Sequence, residues 1–249
     1  MCKTLFNHLE SEIAKYINGG ICIAFSGGVD SSLLLKVCCQ LAQKQHKNIH
    51  AVLFDTFLQP KNDIETAKAV AEECGAIFSI LHINELDNIL IQNNPKDRCY
   101  QCKKFLFTKL LAFAKQNNCQ VVFDGTNADD MNMYRPGLQA VKELGIISPI
   151  ANAHITKKQV RILAENIGLS VANRPSNSCL ATRLKYGTKL EPALLQKIEQ
   201  GELFLQQLGF HQVRLRIHDD IMRIEFSSEQ MPLFIENIEQ IRCYFKTFG

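Results

Sequence analysis

The sequence predicts an α/β fold, a parallel sheet covered on both faces, followed by a smaller α+β domain. Three observations predict it. Apolar, β-branched runs alternate with helix-period segments over the first two thirds of the chain. Those runs are apolar throughout rather than alternating, as strands buried on both faces are. Beyond residue 170 the texture changes to a long helix, a strand pair and a closing helix.

In chain order, ICIAF (21–25), HAVLFDTF (50–57), AIFSILHI (76–83) and QVVFDG (120–125) read as strands. SSLLLKVCCQLAQK (31–44), DIETAKAVAEEC (63–74) and KKFLFTKLLAFAKQN (103–117) read as the helices between them. Further on, 191–210 reads as a helix, QVRLRIH (212–218) and IMRIEF (221–226) as a strand pair, and 229–245 as one closing helix. The boundary falls within 170–190, giving domains 1–180 and 181–249.

Composition excludes several classes. At 249 residues and 46% hydrophobic, the chain can bury a sizeable core. Its start, MCKTLFNHLESEIAKYI, carries two glutamates in amphipathic spacing, so neither a signal peptide nor a membrane span is expected and the protein is expected in the cytoplasm. There thiols stay reduced, and the ten cysteines are not a disulfide framework. Cys22, Cys38, Cys39 and Cys119 sit in apolar surroundings and read as packing residues. A net charge of +3 without a basic block leans toward anionic ligands but not toward nucleic acid.

ICIAFSGGVDSSLLLK (21–36) runs a strand into Ser-Gly-Gly-Val-Asp-Ser and then a helix. Paired glycines let successive amides turn inward as an anion nest, the serines add hydroxyl donors, and the helix points its positive end at the same spot. The bound group should be a phosphate. No lysine closes the loop, so GxxxxGK[ST] fails, and GxGxxG is absent. Asp30 in such a nest is repulsive unless a cation intervenes, which suggests Mg²⁺ between carboxylate and pyrophosphate.

The stretch resembles the PP-loop of the ATP pyrophosphatase superfamily, with Ser26, Gly27, Gly28, Asp30 and Ser31 matching SGGxDS. That resemblance implies a Rossmann-like sheet, ATP activating a substrate oxygen by adenylylation, and adenine near Phe54, Asp55 and Thr56. With RCYQCK (98–103), DGTNADD and RPG (124–137), RPSNSCLATR and YG (174–187) and VRLRIHDDIMRIEF, the whole chain resembles the LarE-type sulfur transferases. These act on a pyridinium carboxylate mononucleotide during assembly of a nickel-pincer cofactor, and a homo-oligomer is expected. Asp124, Gly125, Thr126, Asn127 and Asp129 follow a strand and should face the nucleotide, where open parallel sheets bind ligands; Asp130 reads equally as a helix cap. Arg135 and Arg183 are candidate phosphate or carboxylate ligands. The resemblance gives Arg214 and Arg216, with acids such as Glu202 and Glu225, a role at the substrate phosphate or an oligomer interface.

Cys179 lies in a polar, turn-prone segment flanked by arginines, which favour thiolate. By resemblance it is the sulfur source, attacking the adenylylated carboxylate and losing its sulfur by β-elimination to leave dehydroalanine. Cys99 and Cys102 form a CxxC between a proline-containing loop and the helix at 103–117. With Cys179 they would give three thiolates for a [4Fe–4S] cluster with one open iron; a structural pair, zinc binding and a persulfide relay are the other readings. Two rival functions stand beside sulfur transfer to a small molecule: a tRNA thiolase with the same loop and cysteines, and a nucleotide sensor without catalysis.

Overall fold

The computed structural model describes residues 2–60, 63–175 and 177–248. The chain divides into two units: residues 1–56, 61–85 and 97–176, and residues 57–60, 86–96 and 177–249. Sequence reading put one boundary near 180. The second unit takes residues 177 onward, inside the 170–190 window, together with two short segments from earlier in the chain.

The first unit runs α1 (Cys2–Ala14), β1 (Ile21–Ala24), α2 (Val29–Gln43), β2 (Ile49–Asp55), α3 (Asp63–Cys74), β3 (Ile77–His82), α4 (Arg98–Gln116), β4 (Val121–Phe123), α5 (Ala128–Met131), α6 (Gly137–Glu143), α7 (Pro149–Asn152) and α8 (Lys157–Asn166). The strands form a parallel sheet in the order β3-β2-β1-β4, with Ile21 opposite both Ile49 and Val121 and Asp55 opposite His82. Successive strand side chains point to opposite faces, and the core splits accordingly. Ile21, Ile23, Ala51 and Leu53 pack with Leu9 and Ile13 of α1, Leu33 and Leu34 of α2, and Val160 and Leu163 of α8. Cys22, Val52 and Phe54 pack with Leu106, Phe107 and Leu110 of α4 and Val141 of α6. The result is the three-layer α/β sandwich the alternating runs predict, of Rossmann-like type.

The cysteines read as packing residues do pack. Cys22, Cys38 and Cys119 are buried, and burial pushes the Cys22 and Cys38 thiols well up. Burial also carries Cys39 to about 12 and Cys74 to about 11. These thiols stay protonated at neutral pH and are poor nucleophiles.

The second unit contains α9 (Pro192–Gln207), the antiparallel pair β5 (Arg214–His218) and β6 (Ile221–Glu225), α10 (Met231–Glu236) and α11 (Ile238–Phe245). Leu205, Phe210, Val213 and Ile241 form a small core. The two earlier segments join through backbone: Leu180 N–H donates to Leu58 C=O at 2.8 Å and Leu190 N–H to Gln92 C=O at 2.7 Å. Asn94, buried and with φ 47°, donates its side-chain amide to the Lys185 carbonyl at 2.8 Å. The single helix expected over 229–245 is broken at Asn237, whose side-chain amide turns back to the Leu233 carbonyl at 2.9 Å, a local bond that competes with helix continuation. Among the described residues no helix is long and apolar enough to cross a membrane.

Candidate active site

The first unit carries its polar groups at the carboxyl ends of β1, β2 and β4. Leaving β1, the chain turns through Gly27 at φ 67°, a left-handed conformation, and a Cβ there would stand 2.9 Å from Ala67 Cα. Both facts require glycine. Gly28 is the N-cap of α2, and its amide N–H donates to Ser26 Oγ at 3.4 Å. Ser31 Oγ donates to the Gly28 carbonyl at 3.1 Å and lies 3.2 Å from Ser26 Oγ, so the two serines close the loop across the start of the helix. Arg174, from the segment after α8, donates Nη1 to the Gly27 carbonyl at 3.3 Å. Arg161 of α8 holds that segment through the carbonyls of Ala172 at 2.7 Å and Arg174 at 3.0 Å.

Asp30, in the first turn of α2, accepts from Asn127 Nδ2 at 3.1 Å and forms an ion pair with Lys157 Nζ. A cation does stand at Asp30, and it belongs to the chain itself. Lys157 opens α8, where Thr156 and Gln159 make a capping box, and its amide N–H donates to Asp129 Oδ2 at 2.8 Å. Asp30 offers a carboxylate at this point, and the carboxylate of Asp129 holds the start of α8. A carboxylate such as Asp30 suits Mg²⁺, which is held by one or two carboxylates and completes its shell with water and substrate phosphates.

Gly125 is needed because a Cβ would come 2.9 Å from the Ser31 amide nitrogen, so the end of β4 lies against the start of α2. Asp124 is buried. It accepts from Thr126 Oγ1 at 2.7 Å, Thr126 N–H at 3.3 Å, Ser148 Oγ at 2.5 Å and Lys103 Nζ at 3.0 Å. Its oxygens thus bind the strand end together and hold Lys103 in place. Asn127 caps α5 through the amides of Asp129 and Asp130, and Asp130 returns the bond, which is the capping role read as one alternative. Arg135, half exposed, pairs with Asp130 at 2.8 Å.

At the end of β2, Phe54 is buried against Phe107 and Asp55 bonds His82 Nδ1 at 2.7 Å. Thr56 Oγ1 is buried with no hydrogen-bond partner. An orphaned hydroxyl is costly, and here it marks the strand end that the resemblance assigns to adenine.

Cys99 and Cys102 lie inside α4 rather than ahead of it, because the helix starts at Arg98. Spaced three apart they share a helix face. Cys99 is exposed and accepts from Arg98 Nη2 at 3.4 Å; Cys102 is half-buried. Among the described residues no group of three or more His, Cys, Asp or Glu side chains is gathered to hold a metal ion.

In the second unit Cys179, half-buried, precedes a 3-10 turn at Leu180–Arg183. Its carbonyl accepts from Thr182 Oγ1 at 2.8 Å and Thr182 N–H at 3.0 Å. Arg183 is buried and fully engaged: Nε and Nη2 grip Glu202 at 2.7 and 2.9 Å, while Nη1 holds the Ser178 carbonyl at 3.0 Å. Glu202 also accepts from Leu215 N–H at 2.9 Å. Arg183 is thus engaged within the protein, two of its nitrogens on Glu202 and the third on the segment before Cys179. Arg216 donates Nε to Glu225 at 2.7 Å and Nη1 to the Thr182 carbonyl. That hydrogen bond, with the charges of Arg216 and Arg223, holds the Glu225 carboxyl below its usual range. Arg214 shares the strand face of Arg216 and stands opposite Glu225 in register.

Sequence reading missed Lys103, Lys157, Arg174 and Ser148. Lys103 lies in the quoted RCYQCK run without an assigned role. Only the Thr156–Gln159 capping box gave a local sign that Lys157 opens a helix, and nothing local ties it to Asp30, 127 positions away.

A family model described as NAD synthase matches residues 1–127. A Lactiplantibacillus plantarum protein named pyridinium-3,5-bisthiocarboxylic acid mononucleotide synthase is 33% identical over 229 residues, covering 92% of this chain and 82% of its own. Uncharacterised proteins of Synechocystis and Methanocaldococcus jannaschii are 36% and 31% identical, covering 91% and 94% of this chain and 84% and 88% of theirs. With its Ser-Gly-Gly-Val-Asp-Ser loop and these matches over nearly its whole length, the chain belongs to the PP-loop NAD synthase family and, within it, to the LarE type.

Proposed function

We propose that the protein is an ATP-dependent sulfur transferase acting on a pyridinium carboxylate mononucleotide, with Cys179 as the sulfur source and AMP and pyrophosphate as the nucleotide products. The observation that carries this reading is the identity to the bisthiocarboxylic acid mononucleotide synthase over 92% of the chain. The site supports it. The Gly27–Gly28 turn, Ser26 and Ser31 would receive the pyrophosphate of ATP, and the end of β2 at Phe54 and Thr56 its base. Bound Mg²⁺ would neutralise phosphate charge at Asp30. The substrate carboxylate attacks the α-phosphorus, giving an acyl adenylate and releasing pyrophosphate. The Cys179 thiolate then attacks the acyl carbon and AMP leaves, forming a thioester. Loss of the Cys179 Cα proton to a base and cleavage of its Cβ–S bond yield the thiocarboxylate and dehydroalanine at 179.

Arg214 and Arg216 are proposed to steady the substrate phosphate, and the protein to work as a cytoplasmic homo-oligomer. A [4Fe–4S] cluster on Cys99, Cys102 and Cys179 is the catalytic counterpart of this route. The sulfur step proposed here uses Cys179 alone.

The test is anaerobic turnover with ATP, Mg²⁺ and pyridinium-3,5-dicarboxylate mononucleotide. AMP and pyrophosphate should form, and intact-protein mass should fall by one H₂S, mapped to position 179. Cys179→Ala should still release pyrophosphate but transfer no sulfur. ADP as the product, or full transfer by Cys179→Ala, would sink the proposal.

A further inference from the structure

Lys157 brings to the phosphate site a charge that the loop motif does not contain. The loop itself, Ser26 to Ser32, carries no lysine, yet an ammonium group stands at it, delivered from the first residue of α8. The backbone of that residue is pinned. Its N–H is held by Asp129 at 2.8 Å, and the preceding residues by the capping box and by the Ala128 N–H bond to the Ile155 carbonyl at 2.9 Å. Only the side chain is free to swing, on a flexible four-carbon stem.

Its partner, Asp30, sits where an anion nest and a helix N-terminus favour negative charge on a ligand. A divalent cation arriving with pyrophosphate needs that same carboxylate. Two cations on one carboxylate repel, and the more highly charged one, brought with its phosphate ligands, holds it more strongly. The lysine released in this way is left beside the group with the most negative charge in the site.

We propose that Lys157 is a phosphate-binding residue that exchanges partners: it neutralises Asp30 in the empty site and moves to the pyrophosphate when a divalent cation takes Asp30. The inference rests on reading the loop as a pyrophosphate site and is independent of where the sulfur comes from. It accounts for a carboxylate inside an anion nest in both states, since Asp30 always faces a cation and the phosphate never faces an unscreened Asp30.

The test uses direct binding without a sulfur acceptor. Inorganic pyrophosphate with Mg²⁺ is titrated calorimetrically, Mn²⁺ binding to the nucleotide-free protein is followed by electron paramagnetic resonance, and AMP binding reports an intact site. Lys157→Met should weaken pyrophosphate by about tenfold or more while tightening Mn²⁺, because the competing ammonium is gone. AMP affinity should hold within about threefold. Lys157→Arg should retain most of the pyrophosphate affinity. Asp30→Asn provides a second route: with Lys157 unpaired, metal-free pyrophosphate should bind more tightly than to the wild type, and the added Lys157→Met change should remove the gain. Unchanged pyrophosphate affinity in Lys157→Met, or unchanged or weaker Mn²⁺ binding, overturns the exchange. If Lys157→Met also loses AMP, the Asp30→Asn pair decides, and no gain there overturns it as well. Wild-type protein that fails to bind pyrophosphate at all would instead count against the loop reading itself.

Discussion

The two units each place an acid against a base, and the two pairs differ in almost every physical respect. In the second unit Arg183 and Glu202 have side chains only 5% and 8% exposed, meet through two hydrogen bonds, and have their remaining polar atoms taken by Ser178 and Leu215. In the first unit Asp30 and Lys157 are 20% and 29% exposed. Burial with complete satisfaction makes a pair permanent, because removing either partner strands a charge out of water. Partial exposure makes a pair exchangeable, because water or an incoming ligand can replace either partner. The first arrangement suits a strut and the second suits a binding site.

The comparison breaks most visibly at Arg183. Arg183→Met should cost about 3–5 kcal/mol in urea unfolding, since it leaves the Glu202 carboxylate buried without its partner. The Cys179 segment should become protease-sensitive in the same variant. A loss near that of a surface substitution would mean the pair is not a strut. Next in size is Gly27→Ala. A positive φ and a Cβ 2.9 Å from Ala67 should together cost about 1–3 kcal/mol and abolish ATP binding. Lys157→Met should change unfolding free energy by less than about 1 kcal/mol, even as it alters ligand binding. Comparable losses at Lys157 and Arg183 would erase the distinction between the two units.

The same contrast explains what could be read in the sequence. The four strands of the first unit, with α2, α3 and α9, follow from apolar runs and helical periods, which are local signals. α5, α6 and α7 have four, seven and four residues and are set by caps and by what they pack against, so no period announces them. Of the site, SGGVDS was legible because its glycines and serines act on one another within six residues. The partner of Asp30 comes from α8, and that of Arg183 lies 19 positions on in α9. An arginine in a polar motif reads alike whether it meets a ligand or a buried glutamate; only the fold separates them. Cys99 and Cys102 read as lying ahead of the helix because the segment around them carries no apolar period, although they form its first turns.

The smallest effect tests the exposed extreme of the series, the network of Lys104, Tyr100 and Gln139 around Glu143, which ties α4 to α6. The Lys104 hydrogen bond, then those of Tyr100 and Gln139, draw the Glu143 carboxyl from its ordinary 4.5 down to about 2, and the same bond to Glu143 pushes Lys104 up. A carboxyl with a depressed folded-state pKa contributes stability that is full above its unfolded value and is lost as pH falls through the folded value. The raised lysine contributes below its own unfolded value and loses that contribution in strong alkali. The network therefore helps through the neutral range, and its acid loss falls between about pH 4.5 and 2. Because these side chains lie in water, screening keeps the contribution small. Glu143→Gln should leave the melting temperature near that of the wild type at pH 7, and flatten its fall between pH 4.5 and 2, more clearly in low salt than in high. An acid limb that is the same in both proteins would show that the bonds around Glu143 carry no net stability and that only the buried pair does.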